Sequence, residues 1–304
     1  MAQVKANKNN KIKYYKPKTK KLPVVIMSIL SLFWIAPILV VILNSFKKKA
    51  YIFKNPFGIS SKSLSDGFDK WKNGISKANA GFLNYENALK KTDMVKCFGW
   101  SLFITVCSVA LIVLCTSMCA WYITRVKNKI THAIYILCLF SMIVPFQMVM
   151  FTLSKFANIL HLGNPFGIVI IYLGFGAGLA VFMFTGFVKS IPVEIEEAAY
   201  IDGCNPIQTF FRVVLPILKP TAITVAILDA MWIWNDYLLP SLVLNVNKYR
   251  TIPIAIQYLK QSHGQIDWGA MMAALVLAII PIVGFYLFAQ KDIIEGVTTG
   301  AIKG

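Results

Sequence analysis

The sequence predicts an all-α, polytopic membrane protein with six transmembrane helices and a short polar helix–turn–helix at the membrane face. Three observations carry that prediction. Of 304 residues, 57% are hydrophobic, and the mean hydropathy is +0.63, whereas a soluble domain is nearer half apolar. The apolar residues gather in runs of about 20, the length that crosses a bilayer core. Between two of these runs the stretch Glu196–Pro220 keeps three acids, one glycine and three prolines.

The spans are expected at about 22–45, 98–123, 131–153, 166–188, 218–243 and 269–289. This divides the chain into a basic tail (1–21), a six-span body (22–289) holding a polar loop at about 189–217, and a C-terminal tail (290–304). The run Leu22–Leu43 is too long for a signal-peptide core, and no small-residue cleavage site closes it. Pro37 and Pro145 are expected kinks within spans one and three. Gly174 and Gly178 form a G-x-x-x-G in span four, read as a helix-packing site. Trp100 and Trp121 near span ends read as interface anchors.

The formal charge of +18 does not point to nucleic acid. Eight lysines lie in the first 21 residues and 11 more in residues 47–97, and neither stretch carries a nucleic-acid fold signature. Basic flanks on a membrane protein meet lipid headgroups or set topology. With the N-terminus inside, inner segments hold 16 Lys/Arg and outer ones 15. The whole-chain count decides nothing, but the tight loop Arg125–Ile130 and the N-terminal tail both favour termini on the cytoplasmic side. The six cysteines (Cys97, Cys107, Cys115, Cys119, Cys138 and Cys204) sit mostly inside apolar runs at no metal spacing and read as small apolar fillers. His132, His161 and His263 form no ligand pair, and neither G-x-x-x-x-G-K-[ST] nor G-x-S-x-G occurs. No enzyme site and no cofactor site are expected in this chain.

The polar loop reads as two short helices. Ser190 and Pro192 can start the first, whose opening turn gathers Glu194, Glu196 and Glu197 where the helix dipole favours negative charge. Ala198 and Ala199 allow close approach of another surface. Gly203 can supply the left-handed residue that ends a helix. Asn205 and Pro206 suit the N-cap and first position of a second helix. Ile207, Phe210, Phe211 and Val214 then follow the spacing of one apolar face, and Leu215-Pro216 closes it. On periodicity alone this is an amphipathic interfacial loop.

Its residues add more. Glu197-Ala198-Ala199, three residues, Gly203, nine residues, Val213, one residue and Leu215-Pro216 resemble the "EAA" signature of bacterial ABC importer permeases, with Val213 where isoleucine is usual. "FLNYENAL" (Phe82–Leu89), "WNDYLLP" (Trp234–Pro240), "DWGAMMAALVLAIIP" (Asp267–Pro281) and "TTGAIKG" (Thr298–Gly304) resemble other stretches of the carbohydrate-uptake group, in particular the smaller permease of the maltose-type pair. Residues 1–21 and about 47–80 lie outside the resemblance.

The resemblance implies a bacterial plasma-membrane permease for a sugar or oligosaccharide. Its implied partners are a second homologous permease, a cytoplasmic ATPase dimer that binds ATP and magnesium, and an extracytoplasmic sugar-binding protein. The coupling loop to the ATPase would use Glu197, Ala198, Ala199, Asp202, Gly203, Leu215 and Pro216. Glu197 would be the charged anchor, and Glu196, about 100° away, would matter less. In span five, Asp229, Trp232 and Asp236 recur at three and four, so with Asn235 they are candidates for lining the pathway, since membrane acids face protein or water. The segment after span five would meet the binding protein through Tyr249, Arg250, Tyr258 and Gln261. The alternatives are an ion-coupled secondary transporter, a membrane-embedded enzyme, and an ABC importer permease for a non-sugar solute.

Overall fold

The computed structural model describes residues 21–58, 81–261 and 266–301, with the side chains of 260–261 and 291–301 outside the description. Residues 1–20 of the basic tail, residues 59–80 of the lysine-rich stretch before span two, and His263 therefore lie outside the described residues. Every element among the described residues is helical.

The first span, α1 (Lys21–Ser45), runs through Pro37 as a single helix. Only Asn44 and Ser45 are buried in it, and its last part packs on the final helix. Two short helices follow, α2 (Lys49–Lys54) and α3 (Leu83–Thr92). Asp93, in left-handed backbone (φ 49°), turns the chain into α4 (Met94–Arg125), the second span. At about 1.5 Å per residue its 32 residues exceed the bilayer core and project beyond it.

Span three is two helices, not one kinked helix. The first, α5 (Lys129–Ile143), opens on a capping box of Asn128 and Thr131. The chain then turns by 108° at Val144-Pro145 into α6 (Phe146–Ile159). Proline removes a backbone donor and pushes the preceding residue out of helical backbone, and Val144 is extended. Span four, α7 (Pro165–Val188), starts at Asn164, whose side chain accepts from the N–H groups of Phe166 and Gly167. Helix α7 packs chiefly on α4 and α5. Gly174 does not mediate that packing: a Cβ there meets nothing within 4 Å. Gly176 and Gly178 do, because a Cβ would lie 2.6 Å from Ile112 of α4 and 2.5–2.7 Å from Ser141, Met142 and Cys138 of α5.

Span five also breaks. Helix α10 (Lys219–Asn235) ends before Asp236, whose backbone is extended, and a separate short helix, α11 (Leu238–Val243), follows. The outer halves of the two broken spans meet: Ser154 of α6 donates to the carbonyl of Leu242 at 2.9 Å, and Asn245 N–H donates to Gly163 at 3.1 Å. After α12 (Ile252–Gln261), span six, α13 (Trp268–Ala301), stays helical past the expected boundary at 289.

Two apolar cores result. One joins α4, α7, α10 and the loop after span four through Ile112, Tyr172, Phe184, Phe210 and Val214. The other joins α3, α12 and α13 to the start of α4 through Ala88, Met94, Leu259 and Ala274.

Candidate functional site

The loop between spans four and five contains α8 (Glu194–Ile201) and a second helix that begins as α9 (Pro206–Thr209). Helix α8 starts two to four residues later than Pro192 and Ser190 suggest, but its first turn holds Glu194, Glu196 and Glu197 as expected. Gly203 has φ +84°, the left-handed turn between the helices. The second helix has the expected cap: Asn205 Oδ1 accepts from Gln208 N–H at 2.8 Å, and Gln208 Oε1 accepts from Asn205 N–H at 2.9 Å.

Beyond Thr209 the expectations need correcting. A π turn spans Phe210–Val214, so the second helix does not present one regular apolar face. Phe210 and Val214 are buried, whereas Phe211 and Ile207 are 44% and 66% exposed. Leu215-Pro216 does not close the helix. Pro216 sits in the first turn of a short helical segment, Leu215–Ile217, and the chain then bends by 76° into α10.

Four members of the expected coupling set, Glu197, Ala198, Asp202 and Gly203, are exposed on the tip. Ala199 is buried and faces the protein's own core. Pro216 is exposed and Leu215 half-buried at the base. The sequence reading missed the exposed Ile201 (86%) and the role of Glu196.

Glu196 is 3% exposed. Its Oε1 accepts from Arg125 Nε at 2.9 Å and Nη2 at 2.7 Å, and its Oε2 accepts from Trp121 Nε1 at 3.0 Å. Arg125 Nη2 also donates to the Ile191 carbonyl at 3.0 Å. Trp121, read from sequence as an interface anchor, stacks 5.6 Å from Phe210 of the second helix. Thus the end of α4 grips both halves of the loop. The planar guanidinium places two N–H groups on one carboxylate oxygen while Trp121 holds the other, which fixes direction as well as distance.

The expected stripe in span five does not form as one face, because the helix stops at Asn235. Asp236 turns back: its Oδ2 accepts from the Tyr172 hydroxyl at 3.0 Å, and its Oδ1 accepts from Leu238 N–H at 2.9 Å, capping α11. Asp229 is 5% exposed, and its Oδ2 has no hydrogen-bond partner among the described residues. Trp232 is 42% exposed and lies edge-on to Tyr172 at 5.5 Å, and Asn235 is exposed, its side chain donating to the Met231 carbonyl. Trp232 and Asn235 are thus exposed side chains at the end of α10, while Asp236 holds the break.

At the opposite end, the Arg250 guanidinium lies 4.2 Å above the Tyr258 ring, and Tyr249 packs against Trp100 at 5.1 Å. Tyr258 is exposed, while Tyr249 and Arg250 are half-buried. Gln261 ends α12, and its side chain lies outside the described set. Lys91 pairs with Asp267 at 2.5 Å, joining α3 to the start of α13. Burial pushes the Asp267 carboxyl up, but Lys91 and the Ala270 N–H outweigh it, so Asp267 is held below the usual carboxylate range. Lys47, buried and donating to the carbonyls of Asn55 and Pro56, is pushed down by burial.

Residues 112–295 match the family described as binding-protein-dependent transport system inner membrane component. The chain belongs to that family. It is a multi-pass transport permease of an ABC importer and not an enzyme. Among similar proteins is a probable starch degradation products transport system permease, AmyC, of Thermoanaerobacterium thermosulfurigenes, 38% identical over 90% of this chain and 94% of that one. The multiple sugar-binding transport system permease MsmG of Streptococcus mutans is 32% identical over 92% of this chain and 95% of its own. A bacterial ABC transporter that imports the acidic polysaccharide alginate shares the fold, with a TM-score of 0.71 at 21% identity over 89% of this chain and 95% of that one.

Proposed function

We propose that the protein passes a sugar or oligosaccharide across the bacterial plasma membrane, its alternating access driven by a separate ATPase docked on the loop between spans four and five. The relatives' names support the substrate class. The observation that carries the coupling role is the construction of the loop: an exposed tip of Glu197, Ala198, Ile201, Asp202 and Gly203, rigidly joined to span two by the Arg125–Glu196 pair. An apolar knob beside an acid fits a cleft with a basic rim, and a rigid base passes its displacement to the bundle.

In this reading ATP and magnesium belong to the ATPase dimer, and a second homologous permease forms the other wall of the pathway. Trp232 and Asn235 face that pathway, with Asp229 and Asp236 shaping it from behind. An extracytoplasmic sugar-binding protein docks at the opposite end near Tyr249, Arg250, Tyr258 and Gln261. Both ends of the chain then lie in the cytoplasm with the coupling loop.

The test is uptake of labelled oligosaccharide into proteoliposomes holding the complete complex, with the binding protein outside. Uptake should require ATP inside the lipid compartment facing the loop. Uptake that persists without ATP but follows an ion gradient would favour a secondary transporter. A binding protein that retains amino acids or metals but no sugar would leave the ABC reading intact and overturn the substrate class.

A further inference from the structure

We infer that a basic cleft where spans two, three and four leave the bilayer is a binding site for the headgroup of an anionic phospholipid. The cleft encloses about 630 Å³ between the end of α4, the start of α5 and the end of α7. Lys127, Lys129, His132 and Lys189 line it, and no carboxylate does. None of the three lysines is ion-paired among the described residues. Arg125, the nearby cation, is already committed to Glu196. Lys189 extends over the Tyr135 ring at 5.9 Å, which forms a wall of the same cleft. Thr185, also lining it, is 2% exposed, and its hydroxyl has no hydrogen-bond partner among the described residues. Three lysines without a carboxylate partner among the described residues line a space that asks for an anion with several acceptor oxygens.

The surface leading away from the cleft selects a lipid over a soluble anion. Lys129, His132, Ile136, Phe140 and Ile143 recur at three, four, four and three along α5, so they share one stripe. Below the two basic residues, Ile136, Phe140 and Ile143 are 51%, 58% and 74% exposed. The stripe therefore begins cationic and continues apolar toward the bilayer interior. A phosphodiester seated among the lysines would lay an acyl chain along it. Basic pockets between membrane helices recognise anionic headgroups in this way, each lysine contributing about 1 kcal/mol of attraction. The site does not rest on the identity of the transported solute.

The purified transporter complex would be equilibrated with phosphatidylglycerol or phosphatidylcholine of identical chains, and retained lipid counted by native mass spectrometry. Preferential retention of phosphatidylglycerol is expected, falling roughly fivefold per lysine as Lys127, Lys129 and Lys189 are changed to Gln. The Lys49→Gln/Lys54→Gln pair at the opposite end should leave it unchanged. Ile136→Ser, which keeps every charge, should also lower retention. Equal retention of the two lipids, or an equal loss in the Lys49/Lys54 control, overturns the proposal. So does complete displacement by inorganic phosphate, which would mark a soluble-anion site. The single variant Lys129→Gln keeps the test decisive if the triple variant fails to assemble.

Discussion

A valine at position 203 would carry its Cβ into open space, since nothing lies within 4 Å. Its cost lies in the backbone: φ +84° is a region that L side chains avoid, at roughly 1–2 kcal/mol. Gly203→Val should therefore let the protein insert normally yet re-aim the turn and lower ATP-coupled uptake, measured at matched membrane abundance. Uptake at the parental rate would show that the turn's direction does not matter. Gly176 presents the reverse case, because Ile112 stands 2.6 Å from where its Cβ would be. Overpacking of this kind costs about 1–3 kcal/mol. Gly176→Val should lower the melting temperature of the detergent-purified complex, while Gly174→Val, facing open space, should not. The left-handed glycine was legible because its reason is local, with Asn205-Pro206 restarting a helix two residues on. The G-x-x-x-G reading failed at Gly174 because spacing says which residues share a face, not which face a neighbour will cover.

At the scale of elements, the pair Arg125–Glu196 joins α4 to α8, and both partners are largely buried, at 19% and 4% side-chain exposure. Removing one member of a buried pair leaves the other charged and unpartnered, at about 3–5 kcal/mol. Glu196→Ala should therefore destabilise the complex and raise protease sensitivity of the loop. Glu197→Ala, on the exposed tip, should leave stability unchanged and reduce recovery of the ATPase in pull-downs. The double variant Arg125→Ala/Glu196→Ala should be less destabilised than the sum of the single variants. Additive losses would show that the two side chains act independently. Sequence alone ranked Glu196 below its neighbour because its partner is 71 positions away and itself read as a topology charge. The break in span five was nearer to legible. Asp236 stands four residues before Pro240, and an aspartate capping a short helix with proline in its first turn is a local pattern. Helical periodicity through Trp232 and Asp236 concealed it. On the far side, Lys91–Asp267 joins α3 to α13. Because its folded state holds Asp267 below the ordinary carboxylate range, the contribution is complete above about pH 4 and is lost as pH falls through the lowered value. Asp267→Asn should flatten the acid side of a melting-temperature profile, and an unchanged profile would remove the pair from the account of acid stability.

For the whole molecule, contacts between helix ends fix how often the chain crosses. The Arg125 end of α4 meets the end of α7 through Ile191, and the start of α5 shares a cleft with Lys189. The other end of α4 meets the far ends of spans four and five, with Phe103 5.3 Å from Phe166 and Phe98 5.6 Å from Trp234. Span three must therefore cross despite its 108° bend, because α5 begins at one level and α7 begins at the other. Asn84 of α3 binds the carbonyls of Ser45 and Lys47, which places the end of α1 with the start of α13. Helices α1 and α13, 25 and 34 residues long, then return the chain to the Arg125 level. Four long apolar helices and two bent pairs then give up to six crossings among the described residues, the number expected from hydropathy. Which level faces the cytoplasm is set by the reading of the coupling loop and by the cationic loop Arg125–Ile130. That assignment is open to labelling with a membrane-impermeant maleimide on intact cells. Cys204 lies half-exposed on the loop itself, so the experiment uses a Cys204→Ser background. Lys54→Cys, on exposed α2, should react in intact cells, whereas Lys127→Cys should react only after permeabilisation. The opposite pattern would put the coupling loop outside, out of reach of any ATPase fed by cytoplasmic ATP, and the proposed drive mechanism would fall with it.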